Sequence, residues 1–173
     1  RNTAPIAVHT ALLSERGMDQ VLRADGPDVD VVWYQDQAQQ SSAAAAVVRR
    51  LLRGGIAPHE IALLSPYTME RSRGLANIGS LGAPIQDLSA GTWTEDAVVF
   101  STVAGFKGLE ADAVVLLDAP EVSAEHSMVY YVGASRARAL LTVLLDERTR
   151  GGYLAAATKF GESERARIAG TGA

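Results

Sequence analysis

Cysteine is absent from the 173 residues. That removes disulfides, thiolate metal sites and cysteine nucleophiles. Lysine is nearly absent too, with Lys107 and Lys159 the only two among 16 basic residues; the rest are arginine. Acids outnumber bases, for a net charge of -4, so the chain lacks the basic surplus of a dedicated nucleic-acid binder and any such contact has to be local. The three histidines, His9, His59 and His126, share no ligand spacing, and no metal site is expected from them. No apolar run approaches the roughly 20 residues of a membrane span, and no signal peptide is visible. A cytoplasmic location is therefore the default expectation. The first residue is Arg1 rather than methionine, and the chain reads as a piece of a longer protein.

What is present suffices for one domain with a substantial core. Apolar residues make up 47% and charged residues 21%, an ordinary soluble balance. Thr3 is a candidate cap for a helix reaching Ser14, with Pro5 in its first turn. "DVDVVWY" (28–34) reads as a strand. Residues 38–53 form an expected helix, with Val47, Val48, Leu51 and Leu52 on its apolar face and Gly54-Gly55 ending it. "IALLS" (61–65) reads as a buried strand stopped by Pro66. Residues 69–78 suggest a short helix, followed by a strand near Ile85. "AVVFST" (97–102), "AVVLLD" (113–118) and "LLTVLLD" (140–146) are further strands. Helices are expected over 125–137 and 152–168, with a disordered tail at 169–173. Strands that are apolar on both faces and alternate with helices imply a parallel sheet covered on both sides. The fold class is α/β.

Several chemistries can be weighed on the residues alone. A P-loop needs G-x-x-x-x-G-K-[ST]; "GFKG" (105–108) lacks that spacing, and no Gly-Lys pair occurs anywhere. Asp118 and Asp146 end apolar strands as magnesium-binding acids do, but without a P-loop such a metal has no phosphates to bridge. An acid where a buried strand surfaces is the plainer reading. A phosphoacceptor role for Asp118 lacks the usual acidic partners. Placed on a helix, "HSMVYYVGASRAR" (126–138) sets Arg136 among Met128, Val129, Val132 and Gly133, whereas Arg138 falls near Tyr131 and Ala134. An arginine in an apolar stripe needs an anion. A structural carboxylate and a phosphate both serve, and periodicity does not choose between them.

Two stretches carry a resemblance. "STVAGFKGLEADAVVLLD" (101–118) resembles motif V of superfamily 1 helicases of the UvrD/Rep group, and "YYVGASRARALLTVL" (130–144) resembles their motif VI. "IALLSPYTMERSR" (61–73) is similar to a weaker motif lying before them, and the opening "RNT" resembles the end of motif IV. The resemblance implies a RecA-like three-layer α/β/α domain with a mainly parallel sheet, the C-terminal or 2A domain of an ATP-dependent DNA helicase or translocase. ATP and magnesium would then be held mainly by an N-terminal RecA-like domain carrying the P-loop. By the same resemblance, Arg136 and Arg1 would supply guanidinium groups to the γ-phosphate, and Glu110, with Gly108 beside it, would contact the nucleotide. Thr102 would face a single strand of DNA, RNA also being possible. By itself the chain, lacking a P-loop, would be inactive.

Departures from the pattern are visible. Ala104 stands where motif V commonly has histidine, and the stretch from Arg71 to Asp96 leaves no room for an inserted 2B domain of roughly 50 residues or more. A catalytically inactive nucleic-acid or protein binding module is the alternative implied by those losses. Lys107 is expected to be an exposed loop residue. Among the aromatic residues, Trp33 and Tyr34 are expected in the core; Tyr67 and Trp93 are open to base stacking.

Overall fold

The structure, a computed structural model, describes residues 2–14, 25–91 and 94–170, the last three by backbone alone. Arg1, Trp93 and residues 171–173 of the expected tail lie outside the described residues. Among the described residues, four α-helices and six strands follow one another in the order α1 (Ala4–Ser14), β1 (Asp30–Tyr34), α2 (Gln37–Arg53), β2 (Ile61–Ser65), β3 (Ile85–Asp87), β4 (Val98–Thr102), β5 (Ala111–Ala119), α3 (Ser127–Ala134), β6 (Ala137–Asp146) and α4 (Arg150–Gly170). The strands form one sheet, β1-β6-β5-β2-β4-β3, in which every pairing is parallel.

The sheet is apolar on both faces, with a two-residue period. Ala62, Leu64, Val99, Val114, Leu116, Leu141, Val143 and Leu145 point to one face, where α1, α3 and α4 pack. Ile61, Leu63, Val98, Phe100, Ala113, Val115, Leu117 and Leu144 point to the other, under α2 and the 75–83 segment. Alternate residues of a strand face opposite sides, so a continuous Val/Leu run buries both. The result is the three-layer α/β/α arrangement anticipated from those runs. α2 is started by Asp36, whose carboxylate accepts from the Gln39 amide at 2.8 Å.

Four local expectations fail, the first three for a traceable reason. Thr3 precedes α1 and its carbonyl accepts from the Ala7 amide at 3.0 Å, but its hydroxyl caps nothing. That side chain is instead pressed against Gly26, where an added Cβ would sit 2.5 Å from the Thr3 Cβ. Residues 69–78 form successive turns rather than a helix. The Gly74 amide is taken by Asp118 at 3.0 Å, the Arg73 and Ala76 carbonyls receive the Ser41 hydroxyl at 3.1 and 2.6 Å, and Asn77 adopts φ 59°. Tertiary partners have captured the groups that a helical ladder needs. The helix expected over 125–137 ends at Ala134, because residue 137 already pairs with Ala111 in the sheet. At the C-terminus α4 continues to Gly170, so the backbone at 169–170 is helical rather than part of a disordered tail.

Candidate functional site

The sheet has two edges, and the expected site residues divide between them. Thr102 ends β4 on the carboxyl edge. Glu110 and Arg136 immediately precede β5 and β6, so both lie on the opposite, amino edge. The 103–110 loop thus starts at the carboxyl edge and ends across the sheet. A rise of about 3.3 Å per residue puts the two edges roughly 15 Å apart. Buried Val103 and Phe106 pin the loop to the α3 face on the way. Residues 104, 105 and 107–110 are exposed, Lys107 among them.

Two glycines shape this loop for different reasons. The Gly105 amide donates to the Thr102 hydroxyl at 2.9 Å, and a Cβ on Gly105 would sit 2.9 Å from that same oxygen and 3.0 Å from the Ser101 hydroxyl. Gly108 has φ +89° with open space around it, a backbone conformation that disfavours a side chain whatever the room.

At the amino edge, the Arg136 carbonyl accepts from the Ala111 amide at 3.1 Å, which fastens the residue after Glu110 to the end of α3. Arg136 itself lies in the turn beyond that helix, not on its apolar stripe, and Arg138 belongs to β6, ion-paired with Asp112. Met128, expected beside Arg136, is 48% exposed. The part-buried Arg136 guanidinium donates from Nε to the Val132 carbonyl at 3.2 Å and from Nη2 to the Ser135 hydroxyl at 2.9 Å. A cation bonded to the last carbonyls of a helix is also favoured by the helix dipole. No carboxylate pairs with Arg136 among the described residues, and Nη1 makes no hydrogen bond there. The internal acid, one of the two anions open on the sequence alone, is not what holds it.

The carboxyl edge carries two clefts. One, of about 280 Å³, is lined by Thr68, Glu70, Asp87, Ser89, Thr102 and Gly105. It contains no basic side chain, but Arg71 and Arg73 are exposed on the adjoining segment. The other, of about 270 Å³, lies beyond that segment, between Tyr34, Gln40, Tyr67, Arg73 and Glu121. Burial pushes the Tyr34 hydroxyl up to about 12, with the Asp146 and Asp118 charges adding to the rise. Tyr34 is a core residue, as expected, and Trp33 packs edge-on against Tyr153 at 5.4 Å beneath the Arg150 guanidinium. Tyr67 is 46% exposed.

Both strand-end acids are engaged by protein donors. Asp146 accepts from Arg148, a hydrogen bond that holds its carboxyl below the usual range. Asp118 is 8% exposed and accepts from the Ser65 hydroxyl at 2.7 Å, the Ser72 hydroxyl at 2.6 Å and the Gly74 amide. On the sequence alone Asp118 is an acid where a buried strand surfaces. Its donors are 44 to 53 residues away in the chain, so no local pattern could have revealed them. Among the described residues, no group of three or more His, Asp or Glu side chains could hold a metal, and no helix is long and apolar enough to cross a membrane.

A single parallel sheet between two helical layers is a RecA-like three-layer α/β/α architecture. The structure of the C-terminal domain of a possible DNA helicase from Lactobacillus plantarum WCFS1 is similar to it, with a TM-score of 0.67 and 17% identity, over 84% of this chain and 86% of that one. Residues 97–144, from the start of β4 into β6, match the family model of the UvrD-like helicase C-terminal domain. That segment is similar to the UvrD-like helicase C-terminal domain, and the fold around it is RecA-like. Looser likenesses, which carry no argument, are to the RNA-helicase Prp28 from Chaetomium thermophilum bound to ADP (TM-score 0.46, 13% identity, 80% of this chain and 38% of that one) and to the Pyrococcus furiosus Hef helicase domain (0.43, 20%, 73% and 28%). No curated protein matches the chain.

Proposed function

We propose that this chain is the second motor domain of an ATP-dependent DNA helicase or translocase, completing at its amino edge an ATP site whose P-loop lies on an N-terminal RecA-like domain. The observation that carries the reading is Arg136: a guanidinium without a carboxylate partner among the described residues, fixed one backbone hydrogen bond from the residue that follows Glu110. Arginine's planar fork suits phosphate oxygens, and the chain's lack of a Gly-Lys pair fits a domain that completes a phosphate site rather than cradling one. ATP with magnesium would supply the transferable γ-phosphoryl group. Arg136 would neutralise charge as that group transfers, and Glu110, on the turn that Gly108 permits, would face the ribose. Arg1 would join it by resemblance alone.

At the carboxyl edge, Thr102 would meet a single strand, with Tyr67 available for stacking and Arg71 and Arg73 for phosphates. The acidic Glu70 and Asp87 in that cleft favour a neutral-donor grip over a basic groove, in keeping with the net charge of -4. A loop whose two ends sit on opposite edges gives nucleotide state a route to strand grip.

The test is Arg136→Ala in the full-length protein. Hydrolysis of ATP should fall by roughly 10³-fold or more while binding of a fluorescent ATP analogue persists. Unchanged turnover would contradict the role. The inactive binding-module reading predicts instead that the unsubstituted full-length protein does not hydrolyse ATP at all.

A further inference from the structure

Three donors from three other residues converge on the buried Asp118 carboxylate, and nothing in the proposed motor chemistry uses it. It is buried, makes no ion pair among the described residues, and its backbone has φ +50°, a conformation uncommon for a non-glycine residue and retained where surroundings over-determine it. β2 and β5 are neighbours whose chain connections leave in opposite directions, β2 toward β3 and β5 toward β6. The crevice at such a switch point is where open α/β sheets hold their ligands. Here that crevice is filled from within: two hydroxyls and a glycine amide, donors of the kind that hold a phosphate, converge on a side-chain carboxylate.

The hydrogen bonds radiate from this point to both walls of the Thr102 cleft. The Ser65 hydroxyl, donating to Asp118, accepts from the Tyr67 amide at 3.1 Å. The Ser65 carbonyl accepts from the Val103 amide at 2.8 Å, the first residue after Thr102. Ser72 and Gly74 bring in the far end of the segment bearing Tyr67, Thr68, Arg71 and Arg73. Ser41 of α2 fastens the same segment through the Arg73 carbonyl.

We propose that Asp118 is a positioning residue that clamps the 66–74 segment across the switch-point crevice and so sets the face that grips a single strand. It touches no ligand itself; it fixes the relative placement of Tyr67, Arg71 and Arg73 and of the Thr102 turn. This proposal rests on the nucleic-acid reading above, but the clamp can be read out separately.

Asp118→Asn is the discriminating variant, since asparagine tolerates the positive φ but offers one acceptor oxygen where the carboxylate offers two. In the full-length protein, binding of a fluorescein-labelled single-stranded oligothymidylate should weaken roughly tenfold, the scale of losing a hydrogen bond to a charged group. Amide hydrogen exchange should accelerate at Tyr67, Gly74 and Val103 and remain unchanged in α1 and α4. Leu13→Val, a core trim on the other face, is the control for general destabilisation and should leave binding as it was. If Asp118→Asn does not fold, Ser72→Ala removes one arm of the clamp and should show the same pattern at smaller amplitude. Wild-type affinity with wild-type exchange at those three amides would overturn the proposal. Equal weakening in Leu13→Val would also overturn it. If the unsubstituted protein binds no oligonucleotide, the nucleic-acid reading fails, and exchange at the three amides then decides the clamp by itself.

Discussion

His9 offers a test of the packing on the α1/α4 side of the sheet that can be worked to a number. It sits on α1 with its ring 5.9 Å from that of Tyr153 on α4, and its Nε2 is buried without a hydrogen-bond partner among the described residues. Burial alone lowers its pKa from 6.5 to about 4, because the imidazolium would lose its hydration and gain no anion. In the unfolded chain the ring protonates near 6.5; in the folded state it resists until about 4. The folded state is therefore fully favoured by this residue above pH 6.5, and the advantage drains away as pH falls toward 4. At about 1.4 kcal/mol for each tenfold difference, the whole effect is about 3 kcal/mol, and about 2 kcal/mol of it is already lost between pH 7 and pH 5. His9→Phe keeps an aromatic ring beside Tyr153 and cannot be protonated. Urea unfolding of both proteins at pH 7, 6 and 5, followed by far-UV circular dichroism, should show their stabilities converging or crossing by about 2 kcal/mol in favour of the variant as pH falls. Parallel profiles, with a constant difference at all three pH values, would show that His9 is solvated or already paired, and the reasoning would be refuted.

Two further outcomes test the loop and the core. Gly105→Ala should break the bond from the residue 105 amide to the Thr102 hydroxyl, since the new Cβ would lie 2.9 Å from that oxygen. We expect roughly 1 kcal/mol of lost stability and weaker oligothymidylate binding, and unchanged affinity would separate this turn from strand grip. Leu64→Ala empties a fully buried position in β2 and should cost about 2–5 kcal/mol, lowering the melting temperature by about 10 °C; a smaller drop by calorimetry would mean that the α3-facing core relaxes into the space.

Much of the framework was legible in the residues, and the reason is local. A strand buried on both faces must be apolar at consecutive positions, so "IALLS" and "AVVLLD" declare themselves. Val47, Val48, Leu51 and Leu52 on one face and the Gly54-Gly55 stop mark out α2 within a few residues. The two helicase-like stretches were readable for the same reason, being contiguous in the chain, and they coincide with the matched segment 97–144. Residues 69–78 show where that legibility stops. Their composition allows a helix, but Ser41 and Asp118, distant in sequence, take up the backbone groups that a helix would use.

What the chain determined by itself, then, is which segments are strands, that both faces of the sheet are covered, and that no P-loop is present. The tertiary structure decided the rest: that Glu110 and Arg136 share the amino edge while Thr102 stands on the other, that Arg136 escapes the apolar stripe, and that a buried carboxylate fills the switch-point crevice. Each of these depends on pairings between residues far apart in the chain. Periodicity encodes the burial of a face, but not which distant donor will meet a given acceptor once the strands have taken their order.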